Sequence, residues 1–446
     1  MSEPNPLTQS PILPTILRLS APNIFAMVAM ALVSVAETTY VGALGTAPLA
    51  GMALVFPLIM LQQMLSSGSI GGGISSAVSR AIGSGNETKA NALALHAVLI
   101  SLMLGLVMSG LMLVWGRSLF ELIGGQSEAL EQALLYAQIA FHGASSIWLT
   151  NAFASVIRGS GNMKTPSITL LLVALGQVVL GGVLGLGLGP VPAFGMAGIA
   201  LGQVLAFSLG GIYLYAYLRS GKGRVQLTFS RTFHRDYFAD ILKVGALASI
   251  SSLQTVLTIL ILTKMVASLG QEALAGYGIG TRLEFLLIPI TFAIGVACVP
   301  LVGMAMGAGL VKRARQVAWT GACVSACIVG VIGLLVAIFP DQWTRLFTSN
   351  AQVMAYAKNY FLWVGPAYAF FAFGLCLYFA SQGAGKLVGP VLAGTLRLAL
   401  VAVGGLYLLR QGADASDMFV LISLAMLVYG VLTGIFMYCG RWDIVK

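Results

Sequence analysis

Ser34-Val35-Ala36-Glu37-Thr38-Thr39-Tyr40-Val41-Gly42 is the stretch from which the rest of the chain can be read. It closes a long apolar run that begins near Pro14, and it carries a carboxylate. In mid-bilayer an acidic side chain costs about 2.5–3.5 kcal/mol on insertion scales. Of the 14 acidic residues, only Glu37 and Glu284 lie well inside apolar segments. An acid kept in such a place at such a cost makes Glu37 the leading functional residue.

The run around Glu37 is one of many. The 446 residues are 58% hydrophobic and 9% charged, with mean hydropathy +0.93. Soluble domains carry about 25% charged residues, so the composition predicts an integral membrane protein. Apolar runs extend from end to end, which argues for a polytopic chain and not for a signal peptide on a soluble body. The first run lacks a small-residue cleavage site before a polar domain and is expected to stay as a helix. A spanning helix needs about 20 mainly apolar residues. Such runs occur at about 14–41, 52–80, 92–115, 134–157, 166–188, 194–218, 241–267, 275–306, 317–339, 356–380, 388–409 and 418–439. The fold expected is all-α, with twelve transmembrane helices. Pro57 and Pro289 fall inside the second and eighth spans, where a missing backbone donor allows bending.

The loops set the orientation. With both termini in the cytoplasm, 17 of the 24 Lys and Arg residues fall on the inner side and four (Arg117, Arg345, Lys358, Arg410) on the outer. That bias is the positive-inside pattern, and it accounts for the net charge of +10 without a nucleic-acid partner. Lys264, Arg282 and Arg397 lie within spans and are not explained by it. The stretch 219–243 is the most polar and reads as a cytoplasmic linker, with Arg231 to Asp240 able to form a surface helix or remain a solvated loop. The five cysteines fall in apolar segments, which favours packing over a disulfide framework.

The two halves repeat. Ile16-Leu17-Arg18 recurs as Ile241-Leu242-Lys243 and Leu49-Ala50-Gly51 as Leu274-Ala275-Gly276, both at an offset of 225. Gly83-Ser84-Gly85 recurs as Gly307-Ala308-Gly309, Tyr136 as Tyr360 and Gly159-Ser160-Gly161 as Gly383-Ala384-Gly385, at an offset of 224. Six spans per repeat give parallel repeats about an axis along the membrane normal, with a central cleft and alternating access as the expected consequence. The expected division is a lobe over 1–218, a linker over 219–240 and a lobe over 241–446. At offset 225 Glu37 falls on Leu262. The acid belongs to one lobe only, which points to a chemical task and not to a shared packing need.

These landmarks resemble the multidrug and toxin extrusion family of twelve-helix, cation-coupled exporters. The resemblance rests on the acid-to-Val-Gly pattern ending the first span and on Leu-Ala-Gly entering the second. It rests also on Gly83-Ser84-Gly85, on Arg158-Gly159-Ser160-Gly161-Asn162 with Lys164-Thr165-Pro166, and on their second-lobe copies. It covers essentially the whole chain and implies export of bulky, often cationic compounds in exchange for Na+ or H+. Members usually have Asp where Glu37 stands. In one branch an Asn and an Asp on the fifth span would correspond to Gln177 and Gly181. In another, a Glu on the seventh span would correspond to Gln254, and its tenth-span Asp has no counterpart between Tyr356 and Ala380.

Glu37 is suited to exchange a proton or, when ionised, to bind Na+; the alternative is a hydrogen-bonded structural acid. Glu284 is either a structural partner for Lys264 or Arg397 or part of a substrate or ion site. Arg282, two residues away, does not share its helix face. His142 sits near the centre of the fourth span, and histidine changes charge nearest neutral pH; packing against a carbonyl is the other reading. Tyr40, Asn151, Gln177, Gln254 and Arg282 are candidates for a cavity lining. Phe370, Phe371, Phe373, Tyr378, Met60 and Met64 either line a greasy cleft or face lipid and neighbouring helices. Gly71-Gly72-Gly73 and Gly83-Ser84-Gly85 lack the Lys-Ser/Thr of a phosphate loop. No metal-ligand cluster or nucleophile triad spacing occurs, so an ATP-driven pump, an enzyme and a cofactor are not expected.

The resulting expectation is a secondary antiporter in a cell membrane, the bacterial inner membrane, working as a monomer. It would export amphipathic, cationic organic compounds against H+ or Na+. The alternative is a flippase for a lipid-linked or anionic amphipathic substrate.

Overall fold

Long apolar segments in lipid must satisfy their backbone donors and acceptors internally, and helices do so. The computed structural model describes residues 6–228, 233–440 and 442, and among them every regular element is helical. The long helices are α1 Ile12–Leu44, α2 Thr46–Gly83, α3 Glu87–Leu122, α4a Ser127–His142, α4b Ala144–Gly159, α5 Lys164–Leu186, α6 Gly195–Arg219, α7 Arg235–Ala267, α8 Gln271–Gly307, α9 Val311–Ile338, α10 Ala351–Ala384, α11 Val388–Arg410 and α12 Ala415–Cys439. Eleven of them are long and apolar enough to cross a membrane. The fourth expected crossing, 134–157, is instead two 16-residue helices that begin at Ser127 and break at Gly143. With that pair the crossings number twelve, and the protein is a multi-pass membrane protein.

The joint is closely packed. A side-chain carbon on Gly143 would lie 2.6 Å from Cγ1 of Val204, so the absence of one lets α6 come close at the joint. His142 therefore ends a helix and does not occupy the middle of one, as the sequence suggests.

Two units form. One is Ala21–Ala246; the other is Leu247 onward with the chain up to Ser20, so the division falls inside α1 and inside α7. In the first unit α5 lies along α6, α3 and α6 flank α4b, and α2 packs on α4a and α4b. Its core includes Val41, Val55, Phe120, Tyr136, Phe141 and Ile199. In the second unit α10 packs against α8, α9 and α12 around Leu262, Tyr277, Tyr360, Phe361 and Phe419. Large apolar residues such as Phe25, Val114, Leu209 and Val403 stay exposed, as a lipid-facing surface requires. Phe370 is among these outward residues, while Tyr378 is buried. All five cysteines are free thiols.

The repeat is broken once by a single residue. From Gly51 to Gly83 the first repeat spans 32 steps, and from Gly276 to Gly307 the second spans 31. The additional residue is absorbed in α2 as a π-helical turn over Met64–Ile70, while α8 stays α-helical throughout. A π turn is how an α-helix accommodates one extra residue. At offset 225 Met64 pairs with Pro289, so the second repeat has a proline where the first has its π turn.

The polar loop before α7 is anchored. Asp240 accepts from Nη2 of Arg80 at 2.8 Å and from Nζ of Lys89 at 3.0 Å. Nε2 of the buried His96 accepts the backbone N–H of His234 at 3.1 Å, with the Phe238 ring 4.5 Å away. Arg231 lies outside the described residues. From Arg235 onward the expected surface helix is instead the first part of α7, continuous with the span. The bonds to Asp240 tie that end to α2 and α3.

Candidate functional site

Glu37 projects from α1 with only 7% of its surface exposed. Three and four residues on, Tyr40 and Val41 share its face. Across from it, α5 supplies Gln177, buried, whose Nε2 donates to Oε1 of Glu37 at 2.8 Å. The two residues are 140 positions apart, and each lies within an apolar run. Gly181 and Gly182, one turn along α5, leave room: a side-chain carbon on Gly182 would stand 3.1 Å from Cζ of Tyr40. The Tyr40 ring therefore lies against α5 just beyond the amide.

Two further groups complete this polar island, and neither is among the sequence candidates. Tyr136 on α4a is buried near the Glu37 charge, and its hydroxyl donates to Oε1 of Gln203 on α6 at 3.2 Å. Tyr136 stands out in the sequence only as a repeat landmark. Gln203 is a lone amide in an apolar run, the same signal that singles out Gln177. Oε1 of Gln177 is buried and has no hydrogen-bond partner among the described residues.

The electrostatic feature of the island is what it lacks. Among the described residues no Lys, Arg or His lies within ion-pair distance of Glu37. Its bonded neighbour is a neutral amide. An ionised carboxylate removed from water needs a compensating charge, and no basic side chain among the described residues supplies one by an ion pair here. Na+ favours oxygen ligands, as hard cations do; the carboxylate and the idle Gln177 oxygen offer two. No group of three His, Cys, Asp or Glu occurs among the described residues, so a multi-carboxylate metal centre is not present there.

The other sequence candidates lie elsewhere. His142 is exposed at the end of α4a, and its Nδ1 pairs with the Gln138 carbonyl of its own helix. It lines a cavity of about 290 Å³ with Ser109, Arg117, Glu131 and Phe141, and Glu37 is not part of that cavity. Asn151 on α4b is buried and donates to Oε1 of Gln63 at 3.0 Å and Oγ of Ser66 at 2.9 Å, which fastens α4b to the π turn of α2. In the second unit, Gln254 on α7 donates to Oγ1 of Thr395 at 2.7 Å. Glu284 on α8 accepts from the Tyr360 hydroxyl. Arg282 has its guanidinium 4.8 Å over the Phe347 ring, and Lys264 is exposed. Arg397 is buried, with Phe371 and Tyr429 rings at 5.4 Å and 5.2 Å.

The chain is similar to proteins already known. It is 26% identical over 383 residues to an FAD transporter of Shewanella oneidensis, covering 85% of this chain and 84% of that protein. It is 24% identical over 353 residues to the probable multidrug resistance protein YoeA of Bacillus subtilis, covering 78% of this chain and 76% of that one. A solved multidrug resistance transporter of the MATE family, in an outward-facing conformation, shares its fold with a TM-score of 0.90 at 23% identity and covers 98% of each chain. The family model MatE matches residues 22–183 and 248–408, one segment in each repeat. With every regular element helical among its described residues and matched twice over more than half its length, this chain belongs to the MATE family, whose members are membrane transporters and not enzymes.

Proposed function

We propose that the protein is a secondary antiporter that exports amphipathic, cationic organic compounds across the cell membrane in exchange for H+ or Na+. The observation that carries the reading is the Glu37 carboxylate, buried beside the Gln177 amide with no basic residue paired to it among the described residues. Coupling requires that the two access states differ in affinity for the driving ion. A carboxylate whose charge only a mobile cation can offset provides such a difference when its surroundings change. In this reading the lobes are 1–218 and 241–446, joined by 219–240, with both termini cytoplasmic in the bacterial inner membrane and the monomer as the working unit. The resemblance to YoeA supports a multidrug substrate range.

The test is efflux from proteoliposomes with the pH and Na+ gradients imposed separately. Glu37→Gln keeps the size of the side chain and its contact with Gln177 but removes the charge. We expect it to abolish gradient-driven efflux while the protein still folds; unchanged efflux would overturn the coupling role. A second reading, transport or flipping of an anionic amphipathic substrate, is favoured by the relative named an FAD transporter. It is favoured also by Arg397, a buried cation whose contacts are aromatic rings. Efflux of an anionic dinucleotide but not of a cationic dye would select it.

A further inference from the structure

Arg158 is a buried cation of the first unit. It stands in the last turn of α4b and is 2% exposed, and Nε and Nη2 of its guanidinium have no hydrogen-bond partner among the described residues. No carboxylate lies within ion-pair distance of it there. An isolated buried charge is costly, and a guanidinium does not give up its proton in a protein. It cannot be made neutral as a carboxylate can, so only a negative charge offsets it.

The helix seam at this point supplies further donors. Ser155 and Arg158, three apart, share a face of α4b, and Gly71 and Ser75, four apart, share a face of α2. The two faces meet. A side-chain carbon on Gly71 would stand 2.6 Å from Oγ of Ser155, and one on Gly159 would stand 2.9 Å from the Ser75 carbonyl oxygen. Both serines are buried, and neither hydroxyl has a partner among the described residues. The seam thus brings two idle hydroxyls to the stretch of α4b that carries the idle guanidinium.

The second unit repeats the seam without this chemistry. At offset 224, Gly71, Ser75, Ser155, Arg158 and Gly159 pair with Gly295, Val299, Phe379, Gln382 and Gly383. Gly295 meets the Phe379 ring there, and Gly383 meets the Val299 carbonyl. The close approach of the two helices is kept, while an apolar side chain, an aromatic ring and a neutral amide stand in place of the two hydroxyls and the cation. Helix packing therefore does not require the polar set.

We propose that Arg158, Ser75 and Ser155 form a binding site for a compact monovalent anion of the halide class. Helices this close leave no space for a lipid headgroup or a nucleotide, whereas a bare chloride can accept from several N–H and O–H donors at once. The anion offsets the guanidinium charge and bridges α2 to α4b. It belongs to that seam and is separate from the cation proposed to act at Glu37.

The test is thermal unfolding of the purified full-length protein in detergent, with sodium chloride replaced stepwise by sodium gluconate at fixed pH, Na+ concentration and ionic strength. A ligand that binds only the folded state raises the unfolding temperature with its concentration. Chloride, and bromide in its place, should raise that temperature saturably, while gluconate, too large for the seam, should not. R158Q, which copies the second repeat, should abolish the rise. Ser155→Ala should demand about tenfold more chloride for the same rise, the loss of one hydrogen bond to a charged group, and it serves if R158Q does not fold. E37Q should keep the rise, because Na+ is constant throughout. Equal unfolding temperatures in chloride and gluconate overturn the proposal, as does a difference that never saturates. A rise left unchanged by R158Q or by Ser155→Ala, or one abolished by E37Q, overturns it as well.

Discussion

Gly202 on α6 faces α5 so closely that a side-chain carbon there would stand 2.6 Å from Cα of Gly181 and 2.9 Å from the carbonyl carbon of Leu180. Carbon atoms in ordinary contact sit about 3.5–4.0 Å apart. Both obstacles are backbone, so no rotamer change can relieve them. Gly202→Ala should therefore push α5 and α6 apart by about 1 Å, the shortfall against that contact distance. Overpacking of this kind costs about 1–3 kcal/mol, or roughly five- to 150-fold in the folding equilibrium. It also reaches the site, because α5 carries Gln177 and α6 carries Gln203. The Gln177–Glu37 bond of 2.8 Å has little slack before it is too long to count as a hydrogen bond. The assay is denaturant unfolding in mixed micelles together with gradient-driven efflux. The matched control is Gly42→Ala on α1, where an added carbon meets nothing within 4 Å. Gly202→Ala should lose both stability and flux relative to Gly42→Ala. If the two variants behave alike, the reasoning from close helix approach fails.

Glu37→Asp withdraws the carboxylate by one carbon–carbon bond, about 1.5 Å, and so beyond reach of Gln177; efflux at limiting cation should fall about tenfold, the loss of a hydrogen bond to a charged group. Normal efflux by this variant would show that the amide contact is dispensable. Asn151→Ala leaves Gln63 and Ser66 without their donor beside the π turn, and a loss of stability of about 1–3 kcal/mol is expected, read by thermal unfolding in detergent. At Asp341, the Lys358 ammonium bonded to the carboxylate at 2.7 Å holds its carboxyl below the ordinary value of 3.8. A depressed carboxylate contributes stability above its unfolded value and loses it as pH falls through the folded one. Asp341→Asn should therefore be slightly less stable than the unmutated protein at neutral pH and equal to it in strong acid; a difference that grows toward acid would refute the pairing.

Much of this can be read along the chain, because lipid allows few solutions for a backbone. Eleven of the twelve expected spans are single long helices, and Glu37, the one carboxylate of its run, and Gln177, the one amide of its run, meet as partners. The joint at Gly143 is not legible, since glycine inside a membrane helix reads equally as a packing residue. The position of His142 goes astray with it: a continuous helix would centre that residue, whereas the break leaves it at an exposed end. Gln203 carries the same signal as Gln177 but does not stand out, because nothing local ties it to Tyr136. The pairing of Glu284 with Tyr360 spans 76 residues and becomes visible only when the two repeats are laid over each other.

That overlay also bears on the single extra residue in α2. One residue turns an α-helix by about 100°. The π turn over Met64–Ile70 takes up that rotation, so the side chains from Gly71 to Gly83 keep the faces of their mates at offset 224. Pro289, standing at the same register in α8, removes a backbone donor there without rotating the residues beyond it. Deleting one residue from Met64–Ile70 would leave α2 no residue to absorb, and Pro289→Ala would return a backbone donor to α8, so the same register can be altered separately in each repeat.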